Sequence, residues 1–261
     1  TLGKGLGYLH ELPDQRGMME KVALSSERIA KPDELPGALA RAFALFASSR
    51  PGPVHIEVPI DVMALPADQL AFDVAGTAPP TPERALIARA AELIASARSP
   101  LILAGGGAKT SNAELKRLAE LIDAPVVQTA NARGLLHRHP LCVPASPSLK
   151  AVRMLIAQAD LVIATGTEFG PTEYDMYADG GFVVPPVLIR IDIDDAQLKR
   201  RPSTIAIQAD CRAALLALCD TLGAASIRDR GGAERARSTR DAAFAEIGPA
   251  ILDAIVSGKI S

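Results

Sequence analysis

The chain has 261 residues, enough for one or two domains, and 48% of them are hydrophobic, enough to fill packed cores. A net charge of −2 gives no basis for a nucleic-acid or acidic-membrane partner, and no apolar run approaches the roughly 18 residues of a membrane-spanning helix. Aromatic residues make up only 3% and Trp is absent, so the cores must be built from Ala, Leu, Ile and Val.

In chain order, Thr1-Leu2-Gly3-Lys4-Gly5 is glycine-rich, aperiodic and without an initiator Met, which predicts a start inside a larger protein. The irregular stretch Tyr8 to Gln15 follows. Its His10-Glu11 pair lies in the kind of loop that is either functional or simply solvated. Leu35, Ala38, Leu39, Ala42, Phe43 and Phe46 recur every three or four residues and predict an amphipathic helix over 34–48. The turn Pro51-Gly52-Pro53 then launches a strand at 54–58. Pro59 stops that strand because it has no N–H to give a ladder. His55 alternates with apolar residues there and reads as a structural partner rather than a base. Residues 62–82 carry Pro66, Gly76, Pro79, Pro80 and Pro82 without periodicity and predict an interdomain linker after a first domain at 1–61.

From residue 83 short apolar runs alternate with helical patterns. The spacing predicts helix 83–97, strand 100–104, helix 112–122, strand 125–129, helix 149–158 and strand 160–164. Strand 187–193, a short helix at 195–200, strand 204–208 and helix 211–222 follow. Apolar strands between amphipathic helices predict a doubly wound α/β domain over 83–222, Rossmann-like, with a mostly parallel sheet. Part of a second α/β domain precedes it. Residues 223–261 are expected to form a linker and a helix at 242–256 leading toward a further domain. Arg228, Arg230, Arg235, Arg237 and Arg240 lie there among Asp229, Glu234 and Asp241, and read as a solvated face rather than a basic patch.

Three strand ends carry polar, glycine-bearing loops. Gly105-Gly106-Gly107 opens onto a helix, where glycine would let a backbone approach a phosphate. A plain glycine turn at a strand end is the other reading. Thr129 to Gly134, with Arg133, makes a second loop, and Gly166-Thr167-Glu168 a third. Asp192-Ile193-Asp194 ends a strand, where a carboxylate either accepts from ribose hydroxyls or caps the next helix. Together these loops predict a nucleotide-like crevice. No metal site is expected. His137 and His139 lack further ligands nearby, and Cys142, Cys211 and Cys219 have no metal-like spacing. The cysteines read as buried free thiols of a cytoplasmic protein.

The block Arg50 to Val62 resembles the end of the pyrimidine-binding domain of thiamine diphosphate enzymes of the acetolactate synthase type. Ser99 to Ala108, Ala124 to Val127, Ala132 to Gly134 with His139 to Leu141, Ala159 to Ala164, Ile191 to Asp194 and Ala209-Asp210 are similar, in order, to their central domain. The resemblance implies part of an enzyme that decarboxylates a small 2-oxo acid, with or without carboligation, on thiamine diphosphate and Mg²⁺. It also implies a homodimer or homotetramer. No segment matches the family's cofactor-activating glutamate or its Gly-Asp-Gly…Asn motif, so those sites are expected outside this chain, which would be inactive alone. Asp210 joins the expected crevice through this resemblance. FAD, which acetolactate synthases hold there, is in doubt because Thr167 to Tyr177 lacks their basic character. Leu9-His10-Glu11 stands nearest to the family's substrate-facing Phe-Gln-Glu. His10 to Gln15 and Gly166 to Phe182 look more like the 5-guanidino-2-oxopentanoate decarboxylase branch, whose cationic substrate Glu11 would suit. A free-standing FAD- or nucleotide-binding module and a purely structural spacer are the alternatives of other classes.

Overall fold

The computed structural model describes residues 5, 7, 11–67, 78–176, 179–223 and 229–256. The chain divides into two units, Thr1–Pro79 and Pro80–Ser261. In the first, α1 (Gln15–Met19) precedes β1 (Ser25–Arg28), α2 (Leu35–Ser48), β2 (Val54–Glu57) and α3 (Ile60–Met63). β1 and β2 pair in parallel with α2 as the crossover. Ser26 lies opposite His55, and Ser26 Oγ and His55 Nδ1 are 2.9 Å apart, so this histidine is a cross-strand partner. The strand at 25–28 has only four residues, all of them polar or charged, and no apolar run announced it.

The second unit begins with α4 (Arg84–Ser96), β3 (Pro100–Ala104), α5 (Asn112–Ile122), β4 (Val126–Gln128) and β5 (Cys142–Val143). It continues through α6 (Lys150–Gln158), β6 (Leu161–Thr165), α7 (Pro171–Tyr174), β7 (Leu188–Asp192), α8 (Asp195–Lys199), β8 (Ile205–Gln208), α9 (Cys211–Leu222) and α10 (Gly232–Val256). The six strands run in the order β5-β4-β3-β6-β7-β8 and every pairing is parallel. This is the doubly wound α/β sheet that the apolar runs predict. β3, β6 and β7 are buried at every position because both faces of the sheet are covered.

Alternate side chains of each strand enter different cores. Ile102, Ile163, Ile189 and Ile207 pack with residues of α4, α5 and α9 on one face. Leu101, Leu103, Val162 and Leu188 pack with α6, Phe169, Tyr174 and Ala236 and Ala243 of α10 on the other. All three cysteines are buried and free. Burial pushes the Cys211 thiol up to about 12, which removes it as a nucleophile at neutral pH.

The C-terminal segment departs from expectation. α10 starts at Gly232, not 242, and Arg230 ahead of it and Arg235 and Arg240 within it are half-buried. Arg230 donates to the carbonyls of Ile122 and Ile94, Arg235 to that of Pro100, and Arg240 to those of Pro140 and Cys142. Asp123, in left-handed conformation at φ 46°, accepts the backbone N–H groups of Arg230 and Gly232. Charge alternation in sequence could not distinguish these from Arg237, which stays exposed and pairs with Glu234 and Asp241. Arg228 lies outside the described residues.

Candidate functional site

In an all-parallel sheet the carboxyl ends of the strands share one edge. The chain winds outward from β3 to β4 and β5, then returns to β6 and winds the other way. The switch point therefore lies between β3 and β6, where open α/β sheets take ligands. The predicted loops meet there.

Gly105, Gly106 and Gly107 leave β3, and Gly166 and Thr167 leave β6. The N–H of Gly105 donates to Thr165 O at 2.9 Å and that of Gly107 to Gly166 O at 3.0 Å. A Cβ on Gly105 would stand 2.6 Å from Thr167 Cα, and one on Gly107 2.8 Å from Gly166 Cα. Gly166 has φ 60°, and its own Cβ would stand 2.6 Å from Gly107 Cα. These glycines thus serve an approach of backbone to backbone. A Cβ on Gly106 would meet Asn131 Cβ at 3.0 Å, which brings in the loop after β4. In that loop Thr129 is buried and its N–H donates to Ala104 O, while Arg133 is exposed and Gly134 turns at φ 100°.

The acidic residues have local duties. Asp192 Oδ1 accepts the N–H of Asp194 across Ile193, and Asp194 caps α8 through the N–H of Ala196. Asp210 caps α9 through the N–H of Ala213, and its own N–H goes to Pro80 O. Glu168 pairs with Arg200 at 3.5 Å. In the first unit Glu11 accepts the N–H of Gly7 at 2.7 Å, and His10 lies outside the described residues. Among the described residues no three His, Cys, Asp or Glu side chains gather as metal ligands.

Several residues that hold this edge carry no motif. Arg190, 1% exposed in the middle of β7, donates to Gln197 O at 2.8 Å and Thr167 O at 3.2 Å, and lies 5.3 Å from the Phe169 ring centroid. Burial lowers its pKa and Asp192 opposes that. Glu173 Oε2 accepts the N–H of Ala130. Arg153 pairs with Asp175 at 3.0 Å and Asp179 at 2.6 Å. Tyr174 stacks on Phe169 with centroids 4.8 Å apart, Phe182 leans on both, and the Tyr174 hydroxyl lies 2.9 Å from Thr167 Oγ1. Arg190 was the detectable one, a lone cation inside an apolar strand. Phe169, Tyr174 and Phe182 follow no period.

Residues 87–218, half of the chain, match the central domain of thiamine pyrophosphate enzymes. The chain belongs to that family. Family members with similar sequences include a probable 2-ketoarginine decarboxylase of Pseudomonas aeruginosa, 38% identical over 225 residues that cover 84% of this chain and 39% of that protein. A probable acetolactate synthase large subunit of Methanocaldococcus jannaschii is 34% identical over 231 residues, 83% of this chain and 39% of its own length. In fold the chain is similar to a solved thiamin diphosphate-dependent enzyme isolated from Mycobacterium smegmatis. The TM-score is 0.63 at 24% identity, covering 84% of this chain and 42% of the other. The chain thus spans 39% of the length of these two curated relatives and carries the family's central domain as a partial region of such enzymes.

Proposed function

We propose that this chain is the central part of a thiamine diphosphate-dependent decarboxylase acting on a cationic 2-oxo acid of the 2-ketoarginine type. The observation that carries the reading is the 38% identity to the probable 2-ketoarginine decarboxylase, against 34% for the probable acetolactate synthase of similar coverage. In this reading the second unit is the scaffold between two domains that bind the cofactor, and the first unit is the end of one of them. Thiamine diphosphate and Mg²⁺ sit outside this chain; when bound, the cofactor supplies the electron sink for decarboxylation. His10 and Glu11 face the substrate, where the Glu11 carboxylate complements a guanidinium. The assembled enzyme is a cytoplasmic homodimer or homotetramer. Among the described residues no helix is long and apolar enough to cross a membrane.

The test is steady-state kinetics of the full-length protein on 5-guanidino-2-oxopentanoate and pyruvate. The guanidino acid is expected to have the higher kcat/KM. Glu11→Gln is expected to lower that value about tenfold, the size of one lost charge-assisted contact. Preference for pyruvate with acetolactate as product would sink the reading in favour of carboligation. The chain by itself, supplied with thiamine diphosphate and Mg²⁺, is expected to release no CO₂ from either acid.

A further inference from the structure

The connection from β6 to β7 is unusual for a doubly wound sheet. A crossover between parallel neighbours normally carries a helix that covers the sheet. Among the described residues it carries only α7, four residues long. In a chain with six Phe and three Tyr, this one connection holds Phe169, Tyr174 and Phe182 as a single cluster. Phe169 and Tyr174 are 2% and 1% exposed and join the core on the α6 side of the sheet. They do the covering that the missing helix would have done. Phe169 accepts a left-handed backbone, φ 56°, to reach its place.

The same segment is fastened to every neighbour at the carboxyl edge. Gly166 O takes the N–H of Gly107, from the loop after β3. Glu173 takes the N–H of Ala130, from the loop after β4. Thr167 O takes Arg190 of β7. Ser148 Oγ donates to Glu173 O and accepts from Met176 N, and Arg153 of α6 holds Asp175. A diphosphate at a switch point needs backbone N–H groups turned outward and room beside glycine. The Gly105 N–H is taken by Thr165 at the end of β6 and the Gly107 N–H by Gly166 of the loop behind it, and the room beside these glycines is filled by Gly166 and Thr167.

We propose that the chain seals its own switch-point crevice: Gly166–Met176, together with Phe182, occupies the place a bound dinucleotide would take. The domain is then a ligand-free scaffold whose glycines serve contact between loops. This holds whichever 2-oxo acid the assembled enzyme takes, so its failure and that of the functional reading are separate events.

The first test is thermal unfolding of the purified chain with and without FAD or ADP at about 100 µM, a level that nearly saturates a micromolar site. A cooperative transition unmoved by either ligand is the expected result. A rise in Tm with FAD or ADP, or one-to-one quenching of flavin fluorescence, overturns the proposal. The second test compares the alkaline tyrosine absorbance of the wild type with that of Tyr174→Phe, a change that keeps the ring. Below the unfolding transition the two are expected to titrate with equal amplitude, because Tyr174 is sealed and burial pushes its hydroxyl far above its ordinary value. A larger amplitude in the folded wild type would mean that solvent reaches Tyr174 and that the crevice is open.

Discussion

At the amino edge of the six-stranded sheet, loose backbone groups are met by charged side chains; at the carboxyl edge, where the loops after β3 and β6 meet, they are met by other backbone. Asp160, just before β6, accepts the N–H groups of Arg98 and Ser99 ahead of β3. Asp123 accepts two N–H groups at the start of α10, and Arg230 and Arg235 supply donors to the carbonyls of Ile94, Ile122 and Pro100. At the opposite edge Gly105, Gly107 and Gly166 bring two loops into direct contact. A long side chain reaches its partner through rotatable bonds and yields when a neighbour changes. A backbone-to-backbone contact has no such slack. The two edges should therefore respond to mutation in opposite styles, sharply at the carboxyl edge and by degrees at the amino edge.

The largest effect is expected from Gly105→Ala. Its φ of −107° is open to alanine, so the penalty is purely steric, and the atoms met are Gly166 O, Thr167 Cα and Thr167 Cβ, none of which can rotate away. Overpacking of this kind should cost about 3 kcal/mol or more. Gly134→Ala is the control, with φ 100° but nothing within 4 Å of the added Cβ. It should cost about 1 kcal/mol from backbone strain alone. Denaturant unfolding of both variants measures the contrast, and equal losses would remove the distinction between contact and conformation.

Next comes Asp123→Ala at the amino edge. It leaves the N–H groups of Arg230 and Gly232 without their acceptor, for about 2 kcal/mol. Asp123→Asn keeps an acceptor and tolerates the left-handed φ of 46°, so about half that loss is expected. Hydrogen exchange should show α10 losing protection before the strands do. Uniform loss across the unit would mean that the clasp is not local.

Alkaline pH sharpens the comparison, because Cys211 and Tyr174 are buried near the carboxyl edge as neutral groups. Cys211 is raised from an ordinary thiol value of 9.0 to about 12, and Tyr174 is raised too, both chiefly by burial. Above about pH 9 the unfolded chain loses these protons first and so binds fewer than the folded one. Stability must then fall as pH rises from about 9 toward about 12, with no contribution from these groups near neutrality. Melting temperature against pH checks this, and Cys211→Ala should flatten the decline. The smallest effect is expected at Arg237→Ala. Its pairs with Glu234 and Asp241 are exposed, and no measurable change in melting temperature should follow.

Much of this architecture could be read from the chain without coordinates. Pro100–Ala104 and Leu161–Thr165 are apolar runs that only a sheet covered on both faces can bury, so strand identity and the parallel, doubly wound class follow from local pattern. The segments Arg50 to Val62 and Ser99 to Ala108 carry the family resemblance in their order. Capping is one of the two roles that the sequence allows the aspartates at 192 and 194, because a carboxylate needs only the next turn of its own chain, and Asp194 fills it. Tertiary structure decided what is not local. Three glycines after a strand look the same whether they face a phosphate or another loop, and only the placement of Gly166 beside Gly107 distinguishes them. Arg230 and Arg237 look alike in an alternating charge pattern, yet one meets carbonyls more than a hundred residues away and the other meets its own helix. Residues 169, 174 and 182 become one stack only when β6 and β7 lie side by side. Periodicity reports which way a side chain faces, and partners distant in sequence are set by the topology that brings the strands together.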